Sequence, residues 1–98
     1  MNMKFSDRVY ELCKQIPKGK VSTYKELANK LETKAYRAVG NSLNKNPYKS
    51  VPCHRVVASN GHLHGFALGL RKKSEMLKKE GIEIKNNKID LKKYLHKF

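Results

Sequence analysis

The feature that most limits the possible folds is a pair of short helices that the sequence predicts one after the other. Thr23 and Glu26 have the spacing of a capping box, in which each side chain bonds the backbone amide of the other residue. The apolar residues after Glu26 are spaced as in a short helix, the pattern slips at residues 32–34, and a second helix then begins. This arrangement is typical of a helix-turn-helix, although many helical pairs share it.

The second predicted helix has an unusually smooth surface. Gly40 lies in its middle, where glycine costs roughly 1 kcal/mol relative to alanine, and Ala38 is also small. Small residues let another surface approach the backbone, either a nucleic-acid groove or a neighbouring helix. Arg37 stands just before this surface and Lys45 lies at the end of the helix. An isolated arginine is usually solvated, but beside a smooth, basic helix it can also insert into a groove.

A longer amphipathic helix is predicted before this pair, over residues 5–16, with Ser6 as its cap. Its inner face holds apolar residues at three- and four-residue steps: Phe5, Val9, Leu12, Cys13 and Ile16. Because Cys13 lies on that face, we expect it to behave as a small buried hydrophobe.

The last third of the chain predicts another helix and a hairpin. The helix covers about residues 70–80 and stops at Gly81, with an inner face marked by Leu70, Ser74 and Leu77. Residues 82–91 alternate apolar and polar around Asn-Asn, which predicts a β-hairpin that resembles a small wing. Residues 92–98 form a basic tail. We therefore expect one domain over residues 1–98, mainly α with a small β-hairpin.

Charge points to an acidic partner. Lysine and arginine total 22 against 8 acidic residues, a formal net charge of +14. Nucleic acid is the first candidate, because basic side chains displace counterions from its phosphates, and a solvated basic surface is the alternative. No apolar run has the length of a membrane span or a signal peptide core, so we expect a cytoplasmic protein. The two cysteines lie far apart and predict neither a disulfide pair nor a metal site.

Cys53 is the candidate nucleophile. It is followed by His54 and Arg55, and a thiol near cations is one that can ionise. In an extended segment His54 would point away from Cys53, so contact between them needs a turn or a water. Glu80, at a helix C-terminus, is either offset by neighbouring lysines or reaches inward to orient His54. A thiol enzyme, a DNA-binding module with an incidental cysteine and a redox regulator all remain open.

The run PCHRV at residues 52–56 resembles the active-site signature of the O6-alkylguanine-DNA alkyltransferases. Other segments resemble that family in the same order along nearly the whole chain. They are residues 22–28 (first helix of the helix-turn-helix), residues 37–40 with Asn46-Pro47 (recognition helix and asparagine turn), Gly61, Gly69 and Lys73 (loop and helix after the cysteine) and Glu80-Gly81 (active-site glutamate).

The resemblance implies a winged helix-turn-helix domain that binds the minor groove and flips O6-alkylguanine out of the duplex, since the alkyl group is otherwise inside the base stack. It then implies transfer of the alkyl group to Cys53, once per molecule. The implied catalytic residues are Cys53, His54, Glu80, Tyr24 and Asn46; the DNA-binding residues are Arg37, Ala38, Gly40, Tyr24 and Lys45; the base-pocket residues are Val56, Phe66 and Ala67. In these roles Arg37 fills the gap left by the flipped base, and Tyr24 donates a hydrogen bond to the departing guanine.

The same resemblance implies a monomer without cofactor or metal, whose partner is double-stranded DNA containing O6-alkylguanine. The N-terminal domain that many members carry is expected to be absent. Phe66 stands where the family usually has tyrosine and Leu68 where it often has glycine, which predicts a narrower pocket that favours methyl over benzyl. One alternative is an alkyltransferase-like protein, which binds alkylated DNA without accepting the group and usually lacks the cysteine. An ordinary winged-helix regulator and a redox thiol protein are further alternatives.

Overall fold

The computed structural model describes residues 4–48, 50–63 and 69–98, and it is mainly helical, as predicted, with a small sheet. No helix within these ranges is long and apolar enough to cross a membrane. The elements in chain order are α1 (Phe5–Lys14), β1 (Ser22–Thr23), α2 (Tyr24–Lys30), α3 (Tyr36–Asn44), a 3₁₀ turn (Cys53–Arg55), β2 (Val56–Val57), α4 (Leu70–Lys79) and α5 (Leu91–Tyr94).

Helix α1 is not capped by Ser6. Its N-cap is Lys4, which makes no side-chain capping bond. Ser6 is already helical, and its hydroxyl lies 2.9 Å from the hydroxyl of Ser42 in α3, so it joins two helices instead. The helix ends at Lys14, two residues earlier than predicted, although Ile16 is still fully buried.

Helices α2 and α3 form the predicted helix-turn-helix. Thr23 caps α2, and its hydroxyl accepts a hydrogen bond of 3.0 Å from the Glu26 amide. Between the helices Glu32 has a φ of 58°, a left-handed conformation that turns the chain sharply. Ala35 is the exposed N-cap of α3 rather than part of its inner face, because the helix begins at Tyr36. The buried residues of α3 are Val39, Ser42 and Leu43.

Helix α4 buries a different face from the one predicted. Leu70 is 40% exposed and Ser74 is half-buried, whereas Lys73 and Leu77 are fully buried. Leu70 is the first residue of the helix and lies beyond the core, so the inward stripe starts one turn later. Gly81 ends the helix with a φ of 88°, as the sequence predicts.

A two-stranded parallel sheet, which the sequence pattern does not predict, joins the helix-turn-helix to the cysteine segment. Strand β1 pairs with β2 in the register Ser22↔Val56 and Thr23↔Val57. Each strand has only two residues, too few for an alternating pattern to be recognised. The pairing places the start of α2 beside the residues that follow Cys53.

The chain after α4 forms the turn of the predicted hairpin, but residues 82–91 form no strands and only one antiparallel bridge, between Lys85 and Lys88, closes it. Lys85 and Lys88 exchange two backbone hydrogen bonds around Asn86 and Asn87, whose φ angles are 52° and 62°. Two positive φ angles in a two-residue loop are the requirement of a type I′ turn, which asparagine tolerates well. The basic tail contains α5, capped by the Asp90 side chain, which accepts a hydrogen bond from the Lys92 amide.

Two apolar cores lie on either side of β2. The first packs α1, α2 and α3 together and includes Val51 and Val56. The second packs α4 against the hairpin and α5 and consists of Val21, Val57, Leu63, Leu77, Ile82, Ile89 and Tyr94. Successive strand residues point in opposite directions, so Val56 enters the first core and Val57 enters the second.

Candidate active site and DNA interface

Cys53 lies in a turn, not in an extended segment. Residues Cys53–Arg55 form one turn of 3₁₀ helix, and the Arg55 amide donates to the Pro52 carbonyl at 2.9 Å. Cys53 remains partly exposed, whereas His54 is 7% exposed. The turn therefore leaves the thiol accessible and sends the adjacent imidazole inward, towards the end of α4.

Asn46 holds the loop that leads to Cys53. Its side-chain oxygen accepts from the Tyr48 amide at 2.9 Å, and its Nδ2 donates to the carbonyls of Tyr48 and Val51 at 3.0 and 3.3 Å. The same Nδ2 lies 3.7 Å from the Cys53 sulfur. An N–H group that points at sulfur stabilises negative charge there, so Asn46 both closes the loop and contacts the thiol.

His54, Arg55 and Glu80 form a buried polar cluster. Glu80 Oε2 lies 2.8 Å from His54 Nε2, and the carboxylate accepts three contacts of 2.8 to 3.2 Å from Arg55 Nε and Nη2. Burial raises the pKa of Glu80, but hydrogen bonds from Arg55 and then His54 outweigh it, so the pKa lies below its ordinary value. Of the two sequence interpretations of Glu80, inward contact with His54 is the one that the structure contains.

An ionised Glu80 determines which nitrogen of His54 carries the proton. A carboxylate only accepts hydrogen bonds, so a neutral His54 must be protonated at Nε2. Nδ1 is then unprotonated and can accept a proton. Arg55 also donates from Nη1 to the Ile16 carbonyl at 2.8 Å, which ties the cluster to the chain after α1. The sequence indicated no partner for Arg55, although Arg55 belongs to the PCHRV run that resembles the family signature.

Lys73 was singled out only by the family resemblance, which gave it no role, and its burial was not predicted. It is fully buried, and its Nζ lies 5.9 Å from the centre of the Tyr24 ring. Burial lowers its pKa to about 8, against the opposing influence of Cys53 and Cys13. On a helix that also carries several exposed lysines, no local pattern marks one of them as buried.

Tyr24 lies between the helix-turn-helix and the cysteine. Burial raises its pKa to about 12, with Cys53 contributing in the same direction, so its hydroxyl remains a proton donor at neutral pH. A Cβ on Gly40 would lie 3.9 Å from the Tyr24 ring. The surface that approaches the smooth part of α3 is therefore, at Gly40, the ring of Tyr24.

Cys13 matches its predicted character as a buried hydrophobe. It is fully buried in the first core, and burial raises the pKa of its thiol to about 12. A buried thiol that does not ionise is a poor nucleophile. Of the two cysteines, Cys53 alone combines exposure with polar contacts that stabilise charge.

The remaining predicted site residues are distributed between α3 and the segments around it. Arg37 and Lys45 are exposed on and just after α3, and Ala38 is half-buried. The side chain of Val56 is fully buried in the first core, so it supports the site from behind. Phe66 and Ala67, predicted for the base pocket, and Leu68 lie outside the described residues. The DNA-binding and pocket roles of these residues stay predictions.

A helix-turn-helix with a partly exposed cysteine behind it defines a class: DNA-binding proteins with a thiol site. The model of the family "6-O-methylguanine DNA methyltransferase, DNA binding domain" matches residues 4–82. The chain belongs to this family, as the PCHRV run indicates.

Three similar proteins illustrate the range of the family. A methylated-DNA--protein-cysteine methyltransferase of Sulfolobus acidocaldarius is 46% identical over 82% of this chain and 51% of its own length. Atl1 of S. pombe, solved with damaged DNA containing O6-carboxymethylguanine, has a TM-score of 0.88 at 33% identity, with both chains fully covered. The O6-methylguanine-DNA methyltransferase of Pyrococcus kodakaraensis has a TM-score of 0.74 at 41% identity, over 82% of this chain and 47% of that one. The chain spans about half the length of the methyltransferases it matches.

Proposed function

We propose that this protein removes the alkyl group from O6-alkylguanine in double-stranded DNA, chiefly O6-methylguanine, and keeps it on Cys53. The observation that carries the proposal is the position of the Cys53 sulfur. It is partly exposed, lies 3.7 Å from the Asn46 amide nitrogen, and belongs to the same turn as a histidine bound to an ionised glutamate. Family membership supplies the substrate class.

DNA binding is assigned to α3 and its basic surroundings. Arg37 and Lys45 are exposed, and the net charge of +14 favours a polyanion. The alkylated base must leave the stack before its O6 substituent can reach a sulfur atom, and Arg37 is proposed to fill the space that the base vacates. Tyr24, which contacts α3 at Gly40, lies where a residue can act on both the base and the helix.

The transfer begins with loss of the Cys53 proton to His54 Nδ1, directly or through a water molecule. Glu80, held by Arg55, stabilises the imidazolium that forms, since a bound carboxylate favours the charged ring. Asn46 and the buried ammonium of Lys73 favour negative charge on the sulfur. These residues act as positioning and electrostatic groups, and Cys53 is the nucleophile.

In the next step the sulfur lone pair attacks the alkyl carbon, and the bond between that carbon and O6 breaks. The electron pair of the broken bond passes to the guanine ring. Guanine leaves more readily when this charge is neutralised, and Tyr24, whose pKa of about 12 keeps it protonated, is the proposed donor. The product is a thioether without a good leaving group, and Cys13 is too deeply buried to remove the group. Each molecule is therefore expected to act once.

A second candidate is a damage-binding protein that recognises the alkylated base without accepting the group. The match to S. pombe Atl1 favours it, because that structure covers the whole of this chain, including the part beyond the family model. The presence of Cys53 argues for transfer. The two functions differ in one observable, which is the final location of the alkyl group.

The test uses a duplex with O6-methylguanine that carries a labelled methyl group. Label is expected to move to the protein in a one-to-one ratio and to stay on DNA with Cys53→Ala. Cys13→Ala is the matched control, since it removes the other thiol and should leave transfer intact. Binding of the damaged duplex without any movement of label would establish the second candidate instead.

A further inference from the structure

The hairpin after α4 is bonded to the segment that follows the catalytic turn. The Leu63 amide donates to the Asn87 carbonyl at 3.0 Å, and the Ile89 amide donates to the Gly61 carbonyl at 2.9 Å. His62 pairs with Lys88 as an antiparallel bridge. A side chain on Gly61 would clash with the Ile89 carbonyl oxygen, so the hairpin rests directly on this glycine.

The segment that the hairpin contacts is joined in turn to β2. The Ala58 amide donates to the His62 carbonyl at 2.9 Å, and the Gly61 amide donates to the Ala58 carbonyl at 2.8 Å. Ala58 directly follows β2, which carries Val56 and begins where the catalytic turn ends. A continuous series of backbone hydrogen bonds therefore links the hairpin to the end of β2, the strand that follows the catalytic turn.

The end of the chain is bonded to the residue before β1, the strand that pairs with β2. The Val21 amide donates to the Tyr94 carbonyl at 2.9 Å, and the His96 amide donates to the Val21 carbonyl at 2.7 Å. Val21 precedes β1, the strand that pairs with β2. Val57 of β2 packs in the second core with Ile89 and Tyr94. The segment 56–63 is thus fixed between the hairpin and the terminal tail.

The exposed basic residues of the helix-turn-helix belong to a different part of the molecule. Helix α3 packs against α1 and α2 in the first core, which contains no residue of the hairpin, although Phe98 at the end of the tail packs against it. The family model ends at residue 82, and the P. kodakaraensis structure covers 82% of this chain, whereas S. pombe Atl1 covers all of it. The hairpin and tail lie beyond the matched family region, yet they contact segment 56–63 and the strand that pairs with it.

We propose that the hairpin and tail, residues 83–98, are a positioning element for segment 56–63, which follows the catalytic turn. By fixing segment 56–63 they determine how well the site distinguishes an alkylated guanine from an ordinary one, while α3 binds DNA regardless of damage. The inference rests on the proposed function, and it assigns a task to the part of the chain outside the family model.

The first test uses two substitutions at Asn87, which is exposed at the tip of the hairpin. Its φ of 62° is accessible to glycine but strongly disfavoured for a β-branched residue. Asn87→Val should therefore distort the turn that presents the Asn87 carbonyl to Leu63, and Asn87→Gly should preserve it. Wild type and both variants are studied with the additional change Cys53→Ala, which keeps the methyl group on the DNA, and dissociation constants are measured for an O6-methylguanine duplex and for the same duplex without damage.

We expect Asn87→Val to reduce the ratio of the two dissociation constants by about tenfold, the effect of losing a few backbone contacts. Its affinity for undamaged DNA should stay within about twofold of wild type, because α3 is unaffected. Asn87→Gly should match wild type in both. Equal discrimination by wild type and Asn87→Val, with the protein folded, would overturn the inference.

A second pair of variants probes the other contact. Gly61→Ala and Gly19→Ala both place a side chain on a left-handed residue, with φ of 90° and 88°. The new Cβ clashes with the hairpin only at Gly61, since at Gly19 its nearest neighbour is the Glu80 carbonyl oxygen at an ordinary 3.6 Å. Loss of discrimination with Gly61→Ala but not with Gly19→Ala supports the positioning role, and equal behaviour of the two counts against it.

Amide exchange in the Cys53→Ala protein, with the hairpin unaltered, completes the test. The Leu63 and Ile89 amides should exchange more slowly when damaged duplex is bound than when undamaged duplex is bound. Identical exchange in the two complexes would refute the role of the hairpin even if wild type discriminates. Equal binding of both duplexes by the protein with an unaltered hairpin would overturn the inference, whereas label that stays on the DNA in the transfer assay would overturn the proposed function.

Discussion

Replacing Lys73 by methionine should stabilise the folded protein and slow alkyl transfer. Lys73 is fully buried, and burial lowers its pKa from 10.5 to about 8. Because each pKa unit corresponds to about 1.36 kcal/mol, the buried charge opposes folding by about 3 kcal/mol at neutral pH. Lost attraction to the Tyr24 ring and the other contacts of the ammonium offset at least about 1 kcal/mol, so we expect a net gain of no more than about 2 kcal/mol.

The pH dependence follows from the direction of the pKa change. Below pH 8 Lys73 is charged in both the folded and the unfolded protein, and the full penalty applies. Above pH 10.5 it is neutral in both, and the penalty is gone. The stability of wild type relative to Lys73→Met should therefore rise between these two values. Cys13 and Tyr24 also titrate at high pH, but they are present in both proteins and cancel in the difference.

Urea unfolding of the two proteins at neutral pH and near pH 10.5 measures this difference, and single-turnover kinetics measure transfer. Lys72→Met is the matched control, since Lys72 is the exposed neighbour of Lys73 and should change neither quantity. The buried ammonium would be shown not to oppose folding by either of two results. One is a Lys73→Met protein that is less stable than wild type at neutral pH, and the other is a difference in the free energy of unfolding that does not vary with pH.

Three further substitutions test the proposed roles around the cysteine. Glu80→Gln should slow transfer roughly 100-fold by removing the charge that stabilises protonated His54. Because the pKa of Glu80 is lowered in the folded protein, the variant should also be less stable at neutral pH and lose less stability as pH falls. An acid unfolding curve identical to that of wild type would contradict this. Asn46→Ala should slow transfer about tenfold or more through the lost contact with the Cys53 sulfur. A wild-type rate at saturating DNA would show that this contact does not assist transfer. Arg37→Ala should weaken binding in fluorescence anisotropy and slow transfer, and equal binding and transfer would remove Arg37 from the interface.

The helices and the hairpin were predictable because their signals are local. The capping box predicted the start of α2 from residues three positions apart, and Asn-Asn predicted the hairpin turn from two adjacent residues. The prediction that Ser6 caps α1 was wrong because a hydroxyl near a helix start can either cap the helix or bond another element. Here it bonds Ser42, which is distant in sequence. The β1–β2 pair was not predicted because strands of two residues are too short to show an alternation of apolar and polar residues.

The candidate site was predictable where it follows a contiguous motif and not where it depends on packing. The contact between Glu80 and His54 was one of two interpretations of a carboxylate at a helix C-terminus, where negative charge is disfavoured. The face of α4 that meets the cysteine turn determines both the contact of Arg55 with Glu80 and the burial of Lys73. That orientation is a tertiary property, so no spacing within α4 could separate Lys73 from the exposed lysines around it.

The most direct test of the account is the mass of the protein after incubation with excess O6-methylguanine duplex. We predict that every active molecule gains one methyl group, that the group lies on Cys53 in the peptide map, and that Cys13 remains unmodified. A protein of unchanged mass that nevertheless binds the damaged duplex, or one that releases repaired DNA in more than stoichiometric amount, would contradict the claim that Cys53 is a single-use acceptor.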